Sequence, residues 1–312
     1  MTTWVYRDHS DFFPLSAMHS GNFQAGIQEP LQLYEGLFYR DRTYPHLAQL
    51  ISQATLDEDF GQLPIDAYQA WNETGWKKQQ ASYAATGRLQ NKAVEEYEET
   101  MSALYEFRES GEPAHFVEEL GDYLWVVTAI ANNGGAVLSD SARTRFFEHA
   151  AGTRILRSGK PDYPVWYNTL AQLPLQREPI SIGNIDQLIK AGFRPQISPC
   201  MNLDEEDEEG HIDAAGYAHD LLAFVVTMVS INERQYNYGE GQVIPNEFGL
   251  LAKDLGVVVV EATLRVAALA HFAGSTLADV VQTNVGKITQ RIENHTVDKA
   301  DGERDTNGSV ES

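Results

Sequence analysis

From Ile65 onward the apolar positions recur at helical rather than strand spacing. In "LQNKAVEEYEETMSALYEFRES", Val94, Tyr97, Met101 and Leu104 form one stripe, and Gly111 and Pro113 stop the helix. "AHFVEELGDYLWVVTAIAN" carries its stripe on Leu120, Leu124 and Val127 and ends at Asn132, Asn133 and the Gly134-Gly135 pair. "IDAYQAWNETGWKKQQASYAA" predicts one helix before these two. "SDSARTRFFEHAA" predicts another after them, with Ser139 or Asp140 as N-cap. The first 60 residues are aromatic-rich and irregular, with a short helix in "PHLAQLISQA". Prolines at 161, 164, 174, 179, 195 and 199 mark an ordered connector that ends in the acidic run "LDEEDEEG". That run reads as a solvated loop, because it lacks the alternating ligands and the glycine of a calcium loop. The helical pattern returns at Ile212 with "AAGYAHDLLAFVVTMVSINERQ" and "NEFGLLAKDLGVVVVEATLRVAALAHFAG". "TLADVVQTNVGKITQRIENH" is an amphipathic closing helix with Thr276 as N-cap, and the polar tail beyond it is expected to be disordered. Almost nothing reads as a strand, so the class is all-α.

Two stretches repeat. "EETMSALYE" (98–106) matches "VVTMVSINE" (225–233) at Thr100/Thr227, Met101/Met228 and Glu106/Glu233, with Tyr97/Phe224 just before. "EELGDYLWVV" (118–127) matches "KDLGVVVVEA" (253–262) at Leu120/Leu255 and Gly121/Gly256. In this pairing Glu95, Glu96 and Glu99 face Leu222, Ala223 and Val226. Glu119 becomes Asp254 and Asp122 becomes Val257. Selective loss of carboxylates suggests one working copy and one structural copy.

The chain has 312 residues and a formal net charge of −22. That balance excludes a protein that tracks a nucleic-acid backbone, which needs a basic stripe. It leaves room for a small phosphorylated substrate, since a divalent cation reverses the local sign. The single cysteine, Cys200, rules out an internal disulfide, and the N-terminus lacks a signal-peptide layout. The expected location is cytoplasmic. No membrane partner is expected either: the run "LLAFVVTMVSI" is short for a bilayer, and Glu261 and Arg265 interrupt the other long apolar run.

Glu95 and Glu99 are i, i+4 neighbours, Glu96 and Glu99 are i, i+3, and so are Glu119 and Asp122. Such like-charge pairs repel by a few tenths of a kcal/mol each. Two readings are open. These are solvated faces of amphipathic surface helices, or the two helices form an antiparallel hairpin and Glu96, Glu99, Glu119 and Asp122 converge. Convergence requires a cation, and hard oxygen ligands select Mg²⁺, with Mn²⁺ as a substitute. Glu118 reads as a solvated residue. A di-metal oxidase bundle wants Glu-x-x-His inside helices, and Glu112/His115 and Glu208/His211 have Pro113 and Gly210 between the partners.

The residues also carry a resemblance. "EEYEE" matches an E-E-x-x-E motif and "ELGD" an E-x-x-D motif. "IDAYQAWNET" is similar to an opening helix, and Asn284, Lys287 and Arg291 form N-x-x-K-x-x-x-R. Together and in this order they resemble the MazG-like nucleoside triphosphate pyrophosphohydrolases, over about residues 64–135 and 212–292. One departure is that the Asn-Lys-Arg pattern appears only after the second copy. The resemblance implies a MazG-like helical bundle duplicated as a covalent pseudodimer. Its expected parts are an extension (1–63), a repeat with the metal site (64–150), the connector (151–211), a degenerate repeat with the closing helix (212–295) and the tail (296–312).

The resemblance further implies hydrolysis of a nucleoside triphosphate to a monophosphate and pyrophosphate. Glu96, Glu99, Glu119 and Asp122 would hold Mg²⁺, and Glu95 would act as base or as a supporting residue. Lys287 and Arg291 would stabilise the leaving pyrophosphate, and Asn284 would hold a phosphate or sugar hydroxyl. Trp71, Trp76 and Trp125 are candidates for base stacking, but for any single one of them buried core is the first reading. A homodimer is compatible with this reading. The alternative is a non-catalytic helical module that binds nucleotides or proteins and keeps the motifs by descent.

Overall fold

The structure, a computed structural model, describes residues 44–57, 60–75, 83–146, 166, 169–170, 180–195, 214–237 and 245–293. Residues 1–43, Trp76, the acidic run at 203–210 and the tail at 296–312 lie outside them. Backbone contacts divide the chain after Tyr44, and the helical bundle belongs to the unit Pro45–Ser312. Among the described residues the regular elements are helical, joined by one isolated bridge between Pro64 and Ser181.

In chain order these are α1 (Tyr44–Asp57), a 3₁₀ turn (Phe60–Gln62), α2 (Ile65–Gly75), α3 (Tyr83–Ser110) and α4 (Ala114–Asn133). Next come α5 (residues 138–146), α6 (Ile182–Lys190), α7 (Ala214–Asn237), α8 (Pro245–Phe272) and α9 (Leu277–Glu293). Of the single helix expected over 65–85, the structure describes Ile65–Gly75 as α2 and Tyr83 onward as part of α3, and residues 76–82 lie outside the described residues. The connector contains a helix that its prolines concealed. In α6, Ile182, Ile185, Leu188 and Ile189 are buried at helical spacing. Ser181 and Asn184 close a capping box with reciprocal 3.1 Å hydrogen bonds.

The helices α3 and α4 form one antiparallel hairpin, and α7 and α8 form another. They associate as a bundle, α3 against α7 and α4 against α8. Helix α2 covers α4 from one side, and α9 lies across α4, α6 and α8. With neighbours on so many sides, α4 is not the half-wet surface helix its carboxylates suggest. From Phe116 to Asn132 every residue except Glu118 is buried.

Two helix starts are held in matching ways. In α2, Asp66 accepts hydrogen bonds from the Ser139 amide, at 2.8 Å, and from its hydroxyl. In α6, Asp186 accepts from the Leu277 and Ala278 amides at 2.7 and 3.1 Å. Each carboxylate satisfies amides at a helix start that would otherwise have no partner. The two helix contacts are also close. A Cβ on Gly121 would lie 3.0 Å from Asn284 Cβ and 3.2 Å from the Val280 carbonyl, so α9 packs against the α4 backbone. A Cβ on Gly256 would overlap Ser141 Oγ, so α5 packs against α8 in the same manner.

Glu261 and Arg265, which break the apolar run of α8, do not mark a solvated face. Arg265 pairs with Glu261 and, at 3.2 Å, with Asp220 of α7, while Arg145 of α5 pairs with Glu261. The Arg265 guanidinium also stacks 4.8 Å from the Phe224 ring centre. By length and composition Ala214–Ile231 and Ala252–Phe272 are apolar enough to cross a membrane, against the expectation from run length. Of the second stretch 89% is buried inside the protein, so packing within the bundle uses most of its apolar surface.

The buried ion cluster gives a test. Arg265→Met removes the buried cation that Glu261 and Asp220 share, and the expected loss is about 3 kcal/mol of unfolding free energy. Chemical denaturation followed by circular dichroism measures it.

Candidate metal centre

The α3–α4 seam is where the carboxylates meet. Glu96 faces α4 from α3, one turn before Thr100, whose hydroxyl donates to the Glu96 carbonyl at 2.7 Å and contacts the Glu119 carbonyl at 3.3 Å. Glu119 and Asp122 lie one turn apart on α4. One oxygen from each of Glu96, Glu119 and Asp122 falls within 4.8 Å of the others. Glu96 is 4% exposed, and Glu119 and Asp122 are each 9% exposed. Two carboxylates about 5 Å apart repel by roughly 3 kcal/mol at an effective dielectric constant near 20.

That repulsion and the burial both act against ionisation. Burial pushes the Glu96 carboxyl up to about 7, against the opposing pull of Lys92. Burial, followed by the neighbouring Asp122, raises Glu119 as well. Glu96 Oε2 and Glu119 Oε2 are buried and have no hydrogen-bond partner. Buried carboxylates that converge within 4.8 Å and keep unpartnered hard oxygens are a donor set that fits Mg²⁺ or Mn²⁺.

Cationic side chains ring the triad. Lys92, one turn before Glu96, reaches its Oε1 at 2.7 Å and Glu95 at 3.5 Å. Lys287 of α9 lies 2.5 Å from Asp122 Oδ2 and 2.6 Å from Glu118 Oε1. Burial alone would lower the Lys287 ammonium, but its bonds to Asp122 and Glu118 hold it above the usual lysine range. The Lys287 ammonium in turn holds the Glu118 carboxyl below its ordinary value. His115 contacts Glu106 at 3.0 Å through Nδ1 and Glu119 at 3.2 Å through Nε2. Two carboxylates on opposite ring nitrogens favour the doubly protonated imidazole, which donates at both. Its hydrogen bond to Glu106 is the main cause of its raised pKa.

Three of the four expected carboxylates converge. Glu99 is exposed on α3 and outside the triad, where its charge nonetheless raises both Glu96 and Glu119. Glu95 is exposed and paired with Lys92. Of the closing-helix residues, Asn284 and Lys287 both reach Asp122, the former at 3.1 Å to Oδ1. Arg291 is one turn beyond Lys287, and its charge contributes to lowering Glu118. Trp125 is buried edge-on to Trp71, with ring centres 5.1 Å apart, and close to Tyr68. Its carbonyl accepts from Asn72 Nδ2 at 2.8 Å.

Four residues at the site escape the sequence pattern. Lys92 and His115 each precede a triad glutamate by four positions, and that spacing is a usable signal. Glu118 reads as solvated in the sequence, yet it is paired with Lys287. Tyr68, wholly buried on α2, is not singled out by the sequence, and only the fold places its hydroxyl on Asn284. No protein-family model, no curated protein and no solved structure matches the chain.

The raised Glu96 carboxyl sets a pH dependence. Below about 4.5 Glu96 is protonated both in the folded and in the unfolded chain; between there and about 7 only the folded chain keeps the proton. Stability of the metal-free protein therefore falls as pH rises through that window, by up to roughly 3 kcal/mol for a shift of this size. Thermal melts from pH 5 to 8 should show the fall, and Glu96→Gln should flatten it.

Proposed function

We propose that the chain is a Mg²⁺-dependent nucleoside triphosphate pyrophosphohydrolase of MazG-like type, built as a covalent pseudodimer. The observation that carries this reading is the approach of Asn284 and Lys287, from the closing helix, to Asp122 of the first hairpin. The acidic half and the basic half of the expected motif set are 165 residues apart at Asp122 and Lys287 and lie side by side.

The duplication is supported by features beyond sequence pairing. Asp66 and Asp186, each the second residue of an Ile-Asp pair, cap α5 and α9 in the same way. Gly135 and Gly274, each three residues before a leucine, turn the chain with φ of 80° and 75°. Gly121 receives α9, and its partner in the repeat, Gly256, receives α5. Each hairpin is thus covered by the helix that comes after the other.

Glu96, Glu119 and Asp122 would hold the ion, with Glu99 near enough to bias them electrostatically. A divalent ion bound there supplies charge neutralisation to a triphosphate and acidifies a coordinated water. The chain's own residues do the rest. Lys287, with its ammonium part-buried beside Asp122, is placed to take an anionic phosphate oxygen, and Arg291 extends the basic edge by one turn. Burial by α2, α3, α8 and α9 keeps bulk water from the α4 face, where each charge interaction is stronger than in water. Trp71 and Trp125 border this region as a fixed aromatic wall. Glu95, exposed beside Glu96, remains open as base or as supporting residue.

Incubation with a panel of standard and modified nucleoside triphosphates and Mg²⁺ should release pyrophosphate and the monophosphate. Glu119→Gln and Lys287→Ala should each lower turnover by at least about 100-fold, in line with loss of a main charge stabiliser. Orthophosphate release in place of pyrophosphate, or full activity in a fragment ending near residue 150, would sink the reading. No turnover, together with no Mg²⁺-dependent rise in melting temperature, would favour the non-catalytic module.

A further inference from the structure

Two uncharged polar side chains stand behind Asp122 with almost no exposure: Tyr68 at 0% and Asn284 at 1%. Buried polar groups of this kind are destabilising unless their hydrogen bonds are met. Here they are met by one another and by the triad. The Tyr68 hydroxyl donates to Asn284 Oδ1 at 3.0 Å, and Asn284 Nδ2 donates to Asp122 Oδ1 at 3.1 Å. The other Asp122 oxygen is taken by Lys287 at 2.5 Å.

The direction of this chain is fixed by chemistry. An ionised carboxylate only accepts, so the amide must turn its NH₂ to Asp122, and its carbonyl then needs a donor on the far side. The phenol supplies that donor. Removing it would leave the buried amide carbonyl without a donor and the amide less firmly held against Asp122. Burial holds the Tyr68 phenol well above its ordinary pKa, so it stays a donor at working pH. The Asn284 Cβ sits 3.0 Å from where a Gly121 side chain would begin, which leaves the amide against α4 rather than facing solvent.

We propose that Tyr68 and Asn284 form a positioning relay that fixes the Asp122 carboxylate toward the cation site, so that Asn284 acts through Asp122 and not on the substrate. The relay joins α2, α9 and α4 at one carboxylate. It rests on the reading of the triad as a divalent cation site and assigns a role within it. Outer hydrogen-bond partners of this kind typically account for 10- to 100-fold in metal affinity.

The test is Mn²⁺ affinity, read from free Mn²⁺ by electron paramagnetic resonance, for the full chain and for Tyr68→Phe, Asn284→Leu and the double variant. Tyr68→Phe keeps the ring and loses only the hydroxyl, and it should weaken binding by about tenfold. Asn284→Leu should weaken it by 10- to 100-fold, and the double variant should match Asn284→Leu alone, because the hydroxyl acts only through the amide. Circular dichroism melts in chelator establish that each variant is folded. If Asn284→Leu does not fold, Tyr68→Phe alone decides. Unchanged affinity in Tyr68→Phe, or losses that add in the double variant, would overturn the relay while leaving the cation site intact. Failure of the unaltered chain to bind Mn²⁺ would overturn both.

Discussion

How near α9 comes to α4 governs everything at the site. That distance is set by Gly121, whose missing side chain leaves only 3.0 Å between a Cβ there and Asn284. With any larger residue the helices would separate, and the contacts of Asn284 and Lys287 with Asp122 would lengthen. The ordering of α9 is reinforced from its other end by Asp186, which holds its first amides from α6. A backbone contact and a helix cap therefore decide whether Asp122 has Lys287 and Asn284 beside it.

Those carboxylates explain why the two hairpins differ. The α3–α4 seam concentrates negative charge that Lys92, His115 and Lys287 offset from its edges. In the second hairpin the residue paired with Asp122 is Val257, buried and apolar. Its interior charges are balanced locally, two acids against two arginines, with no orphaned oxygen among Glu261 and Asp220. One seam is left electrostatically incomplete and the other is closed. An incomplete buried site is expected where a ligand is to be bound, and a closed one where a core is to be held.

Much of this is legible in the chain. Helical period identifies α3, α4, α7, α8 and α9, although the stripe Val94–Tyr97–Met101–Leu104 is fully buried only at its end: Leu104 is buried and Val94 is 37% exposed. The carboxylates of the triad are legible as candidates from their i, i+3 spacing, which alone leaves a solvated face and a shared site both open. What is not legible has a common physical cause. Glu99 and Glu96 share a helix face at one-turn resolution, but only packing decides which of the two turns inward. Helix α6 is hidden because proline-rich flanks dominate the composition of its neighbourhood while the helix itself is only nine residues long. The role of Tyr68 depends on a contact 216 residues away, and no local pattern encodes it.

The span between Asp122 and Lys287 has a consequence for biosynthesis. These partners are 165 residues apart in the chain. At about 5–20 residues per second, the acidic hairpin emerges from the ribosome roughly 8–33 s before the lysine that will sit against it. During that interval the triad has Lys92 and His115 beside it but lacks the cation and the amide that α9 brings. Protonation or a captured divalent ion is then the means at hand for burying it. A nascent chain with this order of parts is sensitive to the metal and proton supply of its surroundings before it is finished, and not only once it is folded.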